Sequence, residues 1–212
     1  SYDRARGEAR AAEKAVLDGE ELGLLHGLPL GIKDLETTAG ILTTSGSKLY
    51  ADHIPAHDQG VVANMRGAGG IIIGKTNTPE FGAGANTRNL VFGATGNPFD
   101  PVKTCGGSSG GSAVALATGM VPLASGSDYG GSLRTPASFC GVVGLRPSPG
   151  LVAAERRPIG LLPFSVLGPM GRTVDDAYML LQAQAGPRHE GAAPHHLNGS
   201  LRITGGSNAS QQ

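Results

Sequence analysis

Hydrophobic and polar positions alternate along this chain in blocks that predict helices and strands in turn. Residues 2–17 are rich in Ala, Arg and Glu and predict a polar, exposed helix. The short apolar run at residues 27–32 predicts a buried strand, and Lys33 and Asp34 lie at its carboxyl end. Turn-forming residues dominate positions 37–55, which we predict to be mostly loop.

The same alternation continues through the middle of the chain. Asp58 is placed to cap a helix that ends at the glycines of residues 67–70. Three isoleucines at residues 71–73 predict a second buried strand. Pro79 follows Thr78 and suits the first turn of a further helix.

The last elements follow the same logic. Small residues at 112–117 predict a helix that starts at Ser109 or Gly110, ends at Gly119 and packs tightly on a sheet. Apolar runs at 121–124 and 141–145 predict strands. Thr173 and Asp176 have the spacing of a capping box and predict a final helix. Because helices and strands alternate, the sequence predicts an α/β fold with at least some parallel strands.

The periodic pattern fades near the end of the sequence. Residues 187–212 show neither a helical nor a strand period, so we expect a weakly structured tail after a domain of residues 1–186. The first residue is Ser rather than Met, from which we expect that an upstream segment is missing.

Composition excludes several classes of partner. Lys and Arg together number 17, as do Asp and Glu, so no general attraction to nucleic acid or to an anionic membrane is expected. Aromatic residues make up 4% and Trp is absent, which argues against base-stacking platforms. No apolar run reaches the length of a membrane span. Cys105 and Cys140 alone do not make a disulfide framework, which indicates the reducing cytoplasm.

Glycine and serine crowd the stretch from residue 105 to residue 147. Glycine accounts for 35 of the 212 residues, more than twice its usual share of about 7%. Two Gly-Gly-Ser steps, at residues 106–108 and 130–132, put a small hydroxyl beside backbone that another chain or a substrate can approach closely. A core does not need such bare backbone, so the stretch predicts a reaction site.

Residues 69–76 satisfy the G-x-x-x-x-G-K-[ST] pattern of a phosphate-binding loop. That loop needs a strand before the first glycine and flexible backbone between the glycines. Here a helix precedes the pattern and three isoleucines fill it. We therefore favour a core strand with a polar end over nucleotide binding.

Residues 106–110 also satisfy G-x-S-x-G, the nucleophile elbow of α/β-hydrolases. The elbow requires an apolar strand directly upstream, and residues 100–104 are not one. Asp175 and His189 follow downstream, but His189 lies in the weakly patterned tail. A histidine-based triad is therefore disfavoured.

The histidines and cysteines give no stronger alternative. His53 and His57 are four residues apart, but Pro55 between them breaks the helix that would align them on a metal. We predict no metal site. Cys105 and Cys140 are expected to be buried small hydrophobes, because a cysteine nucleophile would lack a base here.

Three elements in order carry a more specific signal: Lys33 behind an apolar strand, the run GGSSGGS at residues 106–112, and the run DYGGSLR at residues 128–134. Together they resemble the amidase signature family, over nearly the whole chain. The separations of Lys33 from Ser108 and of Ser108 from Ser132 also resemble those of the family.

This resemblance implies a mixed β-sheet sandwiched by helices and a cofactor-free cleavage of a carboxamide C–N bond. It implies that Ser132 is the nucleophile, that Ser108 is a bridging serine beside a cis peptide bond, and that Lys33 is the base. A lysine acts as a base only when neutral, which requires a pKa below about 10.4. Burial at a strand end would lower that pKa. Ser108, both donor and acceptor, would relay the proton.

The predicted oxyanion hole consists of the backbone N–H groups of Tyr129, Gly130, Gly131 and Ser132. Two adjacent glycines leave these donors unobstructed by a Cβ. Tyr129 is bulkier than the residue expected before the two glycines and would narrow the site.

Four further residues are given supporting roles. Asp128 and Arg134 flank the nucleophile, and we expect them to orient its loop by pairing with each other. Ser109 has two equally weighted interpretations, a hydrogen bond to the relay or the N-cap of a helix. Thr104 is expected to add a hydrogen bond to the relay.

The chain departs from the family in length. Family members are usually about twice as long, and their further half supplies strands and much of the acyl pocket. We therefore expect a truncated member with exposed sheet edges, which a homodimer or a companion segment would cover. Cys105 also stands where Pro, Ala or another small residue is expected.

The prediction is an amidase that acts on a small-molecule amide through a serine acyl-enzyme. Two alternatives stay open. One is a catalytically incompetent truncated protein that keeps the sheet. The other is the amidase component of a tRNA-dependent amidotransferase, which would need partner subunits.

Overall fold

The computed structural model describes residues 2–154 and 164–185 of the 212-residue chain. The α-helices within these ranges are α1 (Tyr2–Leu17), α2 (Gly60–Gly67), α3 (Gly110–Ala117), α4 (Arg134–Cys140) and α5 (Val174–Gln184). The strands are β1 (Pro29–Lys33), β2 (Ile71–Thr76), β3 (Arg88–Asn89), β4 (Gly93–Ala94), β5 (Leu123–Asp128), β6 (Val143–Gly144) and β7 (Val166–Gly171).

One five-stranded sheet organises the molecule, in the order β2-β1-β5-β7-β6. Strands β2, β1 and β5 run parallel, whereas β7 runs antiparallel to both β5 and β6. Strands β3 and β4 form a separate two-stranded hairpin. The predicted α/β fold with a mixed sheet flanked by helices is confirmed.

Helices cover the sheet on both faces, and β1 shows the division clearly. Leu30 and Ile32 belong to an apolar cluster that includes side chains of α2 and α5. A Cβ at Gly31 would instead meet Val121 and Ala124, which belong to the cluster that includes α3 and α4. Successive strand residues face opposite sides. Lys33 therefore lies on the α3 side, at the carboxyl end of β1.

Helix α3 approaches its neighbours so closely that only glycine fits at its start. A Cβ at Gly110 would lie 2.2 Å from Thr87 Oγ1, and one at Gly111 would lie 2.2 Å from the Asn77 backbone nitrogen. The predicted tight packing of this small-residue helix is confirmed, and it holds the preceding serines against β1.

Several local predictions are confirmed by the structure. Helix α1 has the predicted bounds. Thr173 caps α5, and Thr173 and Asp176 form the predicted reciprocal capping box. The isoleucine strand is β2, which continues to Thr76.

Other local predictions were wrong. Asp58 does not cap α2, because Gln59 is the N-cap; the Asp58 carboxylate accepts from the Ala39 amide and pairs with Arg66 instead. Pro79 precedes only a single 3₁₀ turn, Glu80–Gly82, in place of a helix. Helix α4 and strand β7 were not predicted as elements.

The predicted weakly structured tail at residues 187–212 lies outside the described residues, as does the boundary at residue 186. No helix within residues 2–154 and 164–185 is both long enough and apolar enough to cross a membrane.

Candidate active site

Lys33 is fully buried, and its ammonium nitrogen is surrounded by serine hydroxyls. Lys33 Nζ donates to Ser108 Oγ at 2.7 Å, to Ser109 Oγ at 2.8 Å and to Ser127 Oγ at 2.9 Å. Two of these serines come from the loop before α3 and one from β5. Strand β1 and helix α3 therefore bring together residues that lie 75 positions or more apart in sequence.

Ser108 lies two residues before the first residue of α3, and the Gly107–Ser108 peptide bond is cis. The cis peptide beside Ser108, which the family resemblance implied, is confirmed. Ser108 is 2% exposed, and its hydroxyl lies between the Lys33 amine and the cavity described below.

The structure decides between the two interpretations of Ser109. It occupies the N-cap position of α3, but its side chain makes no capping hydrogen bond. Its hydroxyl accepts from Lys33 Nζ and donates to the Ser127 carbonyl over 3.2 Å. The Ser109 proton is therefore committed to a backbone acceptor. No such backbone acceptor is found for the hydroxyls of Ser108 and Ser127 among the described residues, and both accept from Lys33 Nζ.

Ser127 was not singled out from the sequence. Polar residues at Ser125 and Ser127, two apart in β5, are the signal that could have found it, because alternate residues of a strand share a face. Ser125 also serves the site: its hydroxyl accepts the backbone N–H of Lys33 at 3.0 Å.

Burial changes the proton affinity of Lys33. It lowers the pKa of Lys33 to about 7, although the carboxylates of Glu36 and Asp128 act in the opposite direction. The neutral amine is thus accessible near neutral pH, as a general base requires.

A cavity of about 580 Å³ opens beside these hydroxyls. Ser108, Ser127 and Ser132 all line it, and so does Tyr129. The Tyr129 ring is exposed and packs edge-on against Phe164 with their centroids 5.9 Å apart, so it forms part of the cavity wall. The described residues that line the cavity are all uncharged.

Asp128 organises the loop that carries Ser132. The Asp128 carboxylate accepts from the Gly131 amide at 2.8 Å and from the Leu133 amide at 3.1 Å. Gly131 has φ +118°, and a Cβ there would lie 2.9 Å from Thr135 Oγ1, so this position requires glycine. A Cβ at Gly130 would meet nothing within 4 Å.

This arrangement distinguishes Gly131 from the other predicted oxyanion donors. Its N–H is already directed at Asp128, which the sequence could not show. Among the described residues, the amides of Tyr129, Gly130 and Ser132 make no hydrogen bond. All three residues line the cavity.

Two arginines hold Asp128 in place. Arg134 Nε and Nη2 each donate to the Asp128 carboxylate at 3.0 Å, the pairing expected from the sequence. Arg146, which was not predicted, donates to the same carboxylate at 3.0 Å. Burial alone would raise the pKa of Asp128, but the hydrogen bonds from Arg134, Gly131 and Leu133 outweigh it and hold this pKa below the usual range.

A second buried cluster adjoins Lys33. The Glu36 carboxyl accepts from the Ser125 hydroxyl, while Lys75 Nζ donates to the Glu36 carbonyl and, at 2.7 Å, to Thr38 Oγ1. Burial raises the pKa of Glu36 and lowers that of Lys75. Neither role was predicted from the sequence.

Thr104 does not join the relay. Its hydroxyl donates to Asn86 Oδ1 at 2.7 Å and accepts from the Gly106 amide at 3.1 Å. Thr104 is exposed, and neither of these partners belongs to the relay, so the expectation that it would bond the relay was wrong.

The geometry does not support the disfavoured motifs. Residues 71–76 of the phosphate-loop pattern form β2, so their backbone is committed to the sheet. The nucleophile elbow would require a strand directly before Ser108, but residues 100–107 form no regular strand. His189 lies outside the described residues. Among residues 2–154 and 164–185, no group of His, Cys, Asp and Glu is arranged to hold a metal.

Both cysteines are free and buried, as expected. Burial raises the pKa of the Cys105 thiol, and it raises the pKa of Cys140 to about 12. Neither is activated as a nucleophile.

Comparison with known proteins gives concordant matches. A glutamyl-tRNA(Gln) amidotransferase subunit of Alkaliphilus metalliredigens (strain QYMF) is 50% identical over 188 residues, covering 84% of this chain and 38% of that protein. The corresponding protein of Acaryochloris marina (strain MBIC 11017) is 46% identical, covering 87% of this chain and 38% of that protein. The chain thus spans well under half the length of these curated relatives.

Solved structures match a similar share of this chain. A bacterial aryl acylamidase of the amidase signature enzymes family superposes with a TM-score of 0.81 at 37% identity, over 87% of this chain and 39% of that one. The peptide amidase of Stenotrophomonas maltophilia superposes with a TM-score of 0.79 at 37% identity, over 86% and 38%. The model of the family described as Amidase matches residues 1–198. The chain belongs to the amidase signature family.

Proposed function

We propose that this chain carries the catalytic centre of an amidase that cleaves a carboxamide C–N bond through an acyl-enzyme on Ser132. One observation carries the proposal. The fully buried amine of Lys33 lies 2.7 Å from Ser108 Oγ, and Ser108 lines the same cavity as Ser132.

In this mechanism Ser132 Oγ attacks the carbonyl carbon of the amide. Its proton passes to Ser108, and the proton of Ser108 passes to neutral Lys33, so one proton is gained by the amine. When the C–N bond breaks, Lys33 returns that proton through Ser108 to the departing nitrogen. Water then attacks the acyl ester, and its proton passes through Ser108 to Lys33. When the bond between the acyl carbon and Ser132 Oγ breaks, Lys33 returns that proton through Ser108 to Ser132 Oγ, and the carboxylic acid leaves.

The charge that develops on the carbonyl oxygen needs donors. We assign this role to the N–H groups of Tyr129, Gly130 and Ser132, with Gly131 holding the loop through Asp128. One such donor typically contributes about 3 kcal/mol to the transition state. The support for this assignment is the Gly131–Asp128 hydrogen bond, which fixes the loop while its neighbours' amides stay free.

The substrate we propose is a small-molecule amide, and the support for it is the cavity of about 580 Å³ beside Ser132. No cofactor enters this mechanism. We propose a cytoplasmic location, supported by two free cysteines.

Labelling with a fluorophosphonate tests the nucleophile and its base. We expect a covalent adduct on Ser132, detected by mass spectrometry of the digested chain. Replacing the base should slow labelling by about 10²- to 10⁴-fold in Lys33→Ala, the usual contribution of general base catalysis. Lys103→Ala, which removes an exposed lysine, is the matched control and should label at the wild-type rate.

An adduct on another residue, or no adduct at all, would contradict the acyl-enzyme on Ser132 while leaving the fold assignment intact. It would favour the catalytically incompetent alternative. Equal rates in Lys33→Ala and Lys103→Ala would remove Lys33 from the mechanism even if Ser132 were labelled.

A second candidate function is supported by the relatives. Identity of 50% to a glutamyl-tRNA(Gln) amidotransferase component favours an amidase that releases ammonia for a partner. In that case glutamine hydrolysis should depend on added partner proteins, whereas a free-standing amidase should cleave simple amides alone. Association into a homodimer stays a prediction, and size-exclusion chromatography with light scattering tests it.

A further inference from the structure

A carboxyl group that the relay does not use lies next to its base. Glu36 is 1% exposed, and its backbone N–H donates to the Lys33 carbonyl at 3.0 Å, so a tight turn connects the two residues. A carboxyl is almost never fully buried unless it is paired, because burial removes its hydration. Its position therefore calls for a physical explanation.

The Glu36 carboxyl is linked to Lys33 through one hydroxyl. Ser125 donates its proton to Glu36 Oε2 and accepts the backbone N–H of Lys33 at 3.0 Å. The other carboxyl oxygen, Oε1, has no hydrogen-bond partner among the described residues. Glu36 is thus half satisfied in an interior of low dielectric, where charges act on one another strongly.

The same interior holds further charged groups on each neighbouring element. Lys75 of β2 acts on Glu36, and Asp128 at the end of β5 acts on Lys33. Lys75 in turn is influenced by Asp34 and Asp58. Of these, Glu36 is the carboxyl that a shared hydroxyl joins to the backbone N–H of Lys33.

We propose, on the basis of the function proposed above, that Glu36 is a positioning residue for Lys33: through Ser125 it fixes the end of β1, and its charge sets the pH at which Lys33 becomes a base. No catalytic contact with substrate is assigned to Glu36. It acts only through Lys33.

The direction of the effect follows from charge. An ionised Glu36 favours the ammonium form of Lys33 and so raises the pKa of that lysine. Burial raises the pKa of Glu36 itself, so the charge on Glu36 changes near the pH at which Lys33 titrates. Removing the carboxylate should therefore let Lys33 lose its proton at lower pH.

The test is a titration of Lys33 in the full chain by NMR with ¹³C-labelled lysine. The chain has only five lysines, which single-site variants can assign. Glu36→Gln keeps the shape of the side chain and an oxygen acceptor for Ser125 but removes the charge. We expect its Lys33 midpoint to fall by about one pH unit, the lower end of the shifts that close opposite charges produce.

Glu13→Gln, an exposed carboxyl on α1, is the matched control and should leave the midpoint unchanged. Ser125→Ala keeps the carboxyl but removes the shared hydroxyl, and it should lower the Lys33 midpoint by less than Glu36→Gln does. If Glu36→Gln does not fold, Ser125→Ala is the variant that tests the proposal. The pH dependence of Ser132 labelling should move with the NMR midpoint.

A midpoint that is unchanged or raised in both variants would overturn the role of Glu36. This outcome is separate from failure of the proposed function. If wild-type Ser132 does not label at any pH, the acyl-enzyme proposal fails while the NMR titration still decides the influence of Glu36 on Lys33.

Discussion

Two lysines lie on neighbouring strands of the same sheet, Lys33 fully buried and Lys75 half-buried, and their surroundings differ in kind. Lys33 of β1 contacts three serine hydroxyls and faces a cavity. Lys75 of β2 contacts a carbonyl and the hydroxyl of Thr38, with the carboxyl groups of Asp34 and Glu36 nearby. In the register of the sheet, Lys75 is opposite Ile32, one residue before Lys33.

The difference explains why one lysine is suited to chemistry and the other to structure. Hydroxyls accept and donate equally well, so they can partner Lys33 in both protonation states. A backbone carbonyl only accepts, so it favours the ammonium of Lys75. Carboxylates near Lys75 add to that preference. The hydroxyls around Lys33 suit both of its protonation states, whereas the acceptors around Lys75 oppose the lowering of its pKa by burial.

The largest expected effect concerns the pH dependence of stability at Lys33. With a folded pKa of about 7 and an unfolded pKa near the ordinary lysine value of 10.5, the unfolded chain binds more protons between these values. The free energy of unfolding should therefore rise with pH across this window, because stability increases wherever the unfolded state holds more protons. Between about pH 7 and pH 10, the free energy of unfolding of the wild type should rise by about 4 kcal/mol more than that of Lys33→Met.

Urea denaturation at several pH values measures this difference. Lys103→Met, which removes an exposed lysine, should give a curve parallel to that of the wild type. If the Lys33→Met curve is also parallel, Lys33 titrates as an ordinary lysine and the contrast with Lys75 disappears.

The next largest effect is a loss of stability in Lys75→Met. This variant leaves the Glu36 carbonyl and the Thr38 hydroxyl without their cationic donor. We expect about 2 kcal/mol lower stability near neutral pH, typical of hydrogen bonds to a charged group. Labelling of Ser132 at about pH 9 should change less than tenfold, which corresponds to under about 1.4 kcal/mol of activation free energy.

Denaturation midpoints and labelling rates on the same preparation separate the two roles. A Lys75→Met variant that keeps its stability but loses labelling would reverse the assignment of structural and chemical lysine.

The sequence predicted the surroundings of Lys33 in part, but it predicted nothing about those of Lys75. The apolar run before Lys33 predicts a buried strand, and burial predicts the lowered pKa that the structure gives. The capping box of α5 was predicted for a similar reason, because a local pattern has a local cause.

The hydrogen-bond partners of both lysines could not be predicted because they are distant in sequence. Ser127 is 94 residues from Lys33, and Thr38 is 37 residues from Lys75. A serine in a strand can face either side, and only the register of β1 against β5 decides which. Nothing local at Glu36 indicates that its carboxyl turns inward towards Ser125.

Strand β7 and helix α4 were not predicted because each contains residues that usually interrupt regular structure. Strand β7 contains Gly168 and Pro169, yet it pairs with both β5 and β6. A Cβ at Gly168 would lie 2.5 Å from the Leu145 carbonyl oxygen, so the glycine is required by close packing and not by a turn. Helix α4 carries Pro136 in its first turn, where proline is tolerated, and Gly141 ends it with φ +65°.

The smallest expected effect compares one hydroxyl from each environment. Ser127→Ala removes one partner of Lys33 and Thr38→Val removes one partner of Lys75, and each variant should lower the free energy of unfolding by about 1 kcal/mol. Ser127→Ala should also shift the pH midpoint of Ser132 labelling downward, because Lys33 loses an acceptor for its ammonium form. Thr38→Val should leave that midpoint where it is, since its hydroxyl contacts only Lys75 and the Glu36 carbonyl among the described residues. Equal midpoints in the two variants would mean that the hydroxyls around Lys33 are structural contacts, no different in their effect from those around Lys75.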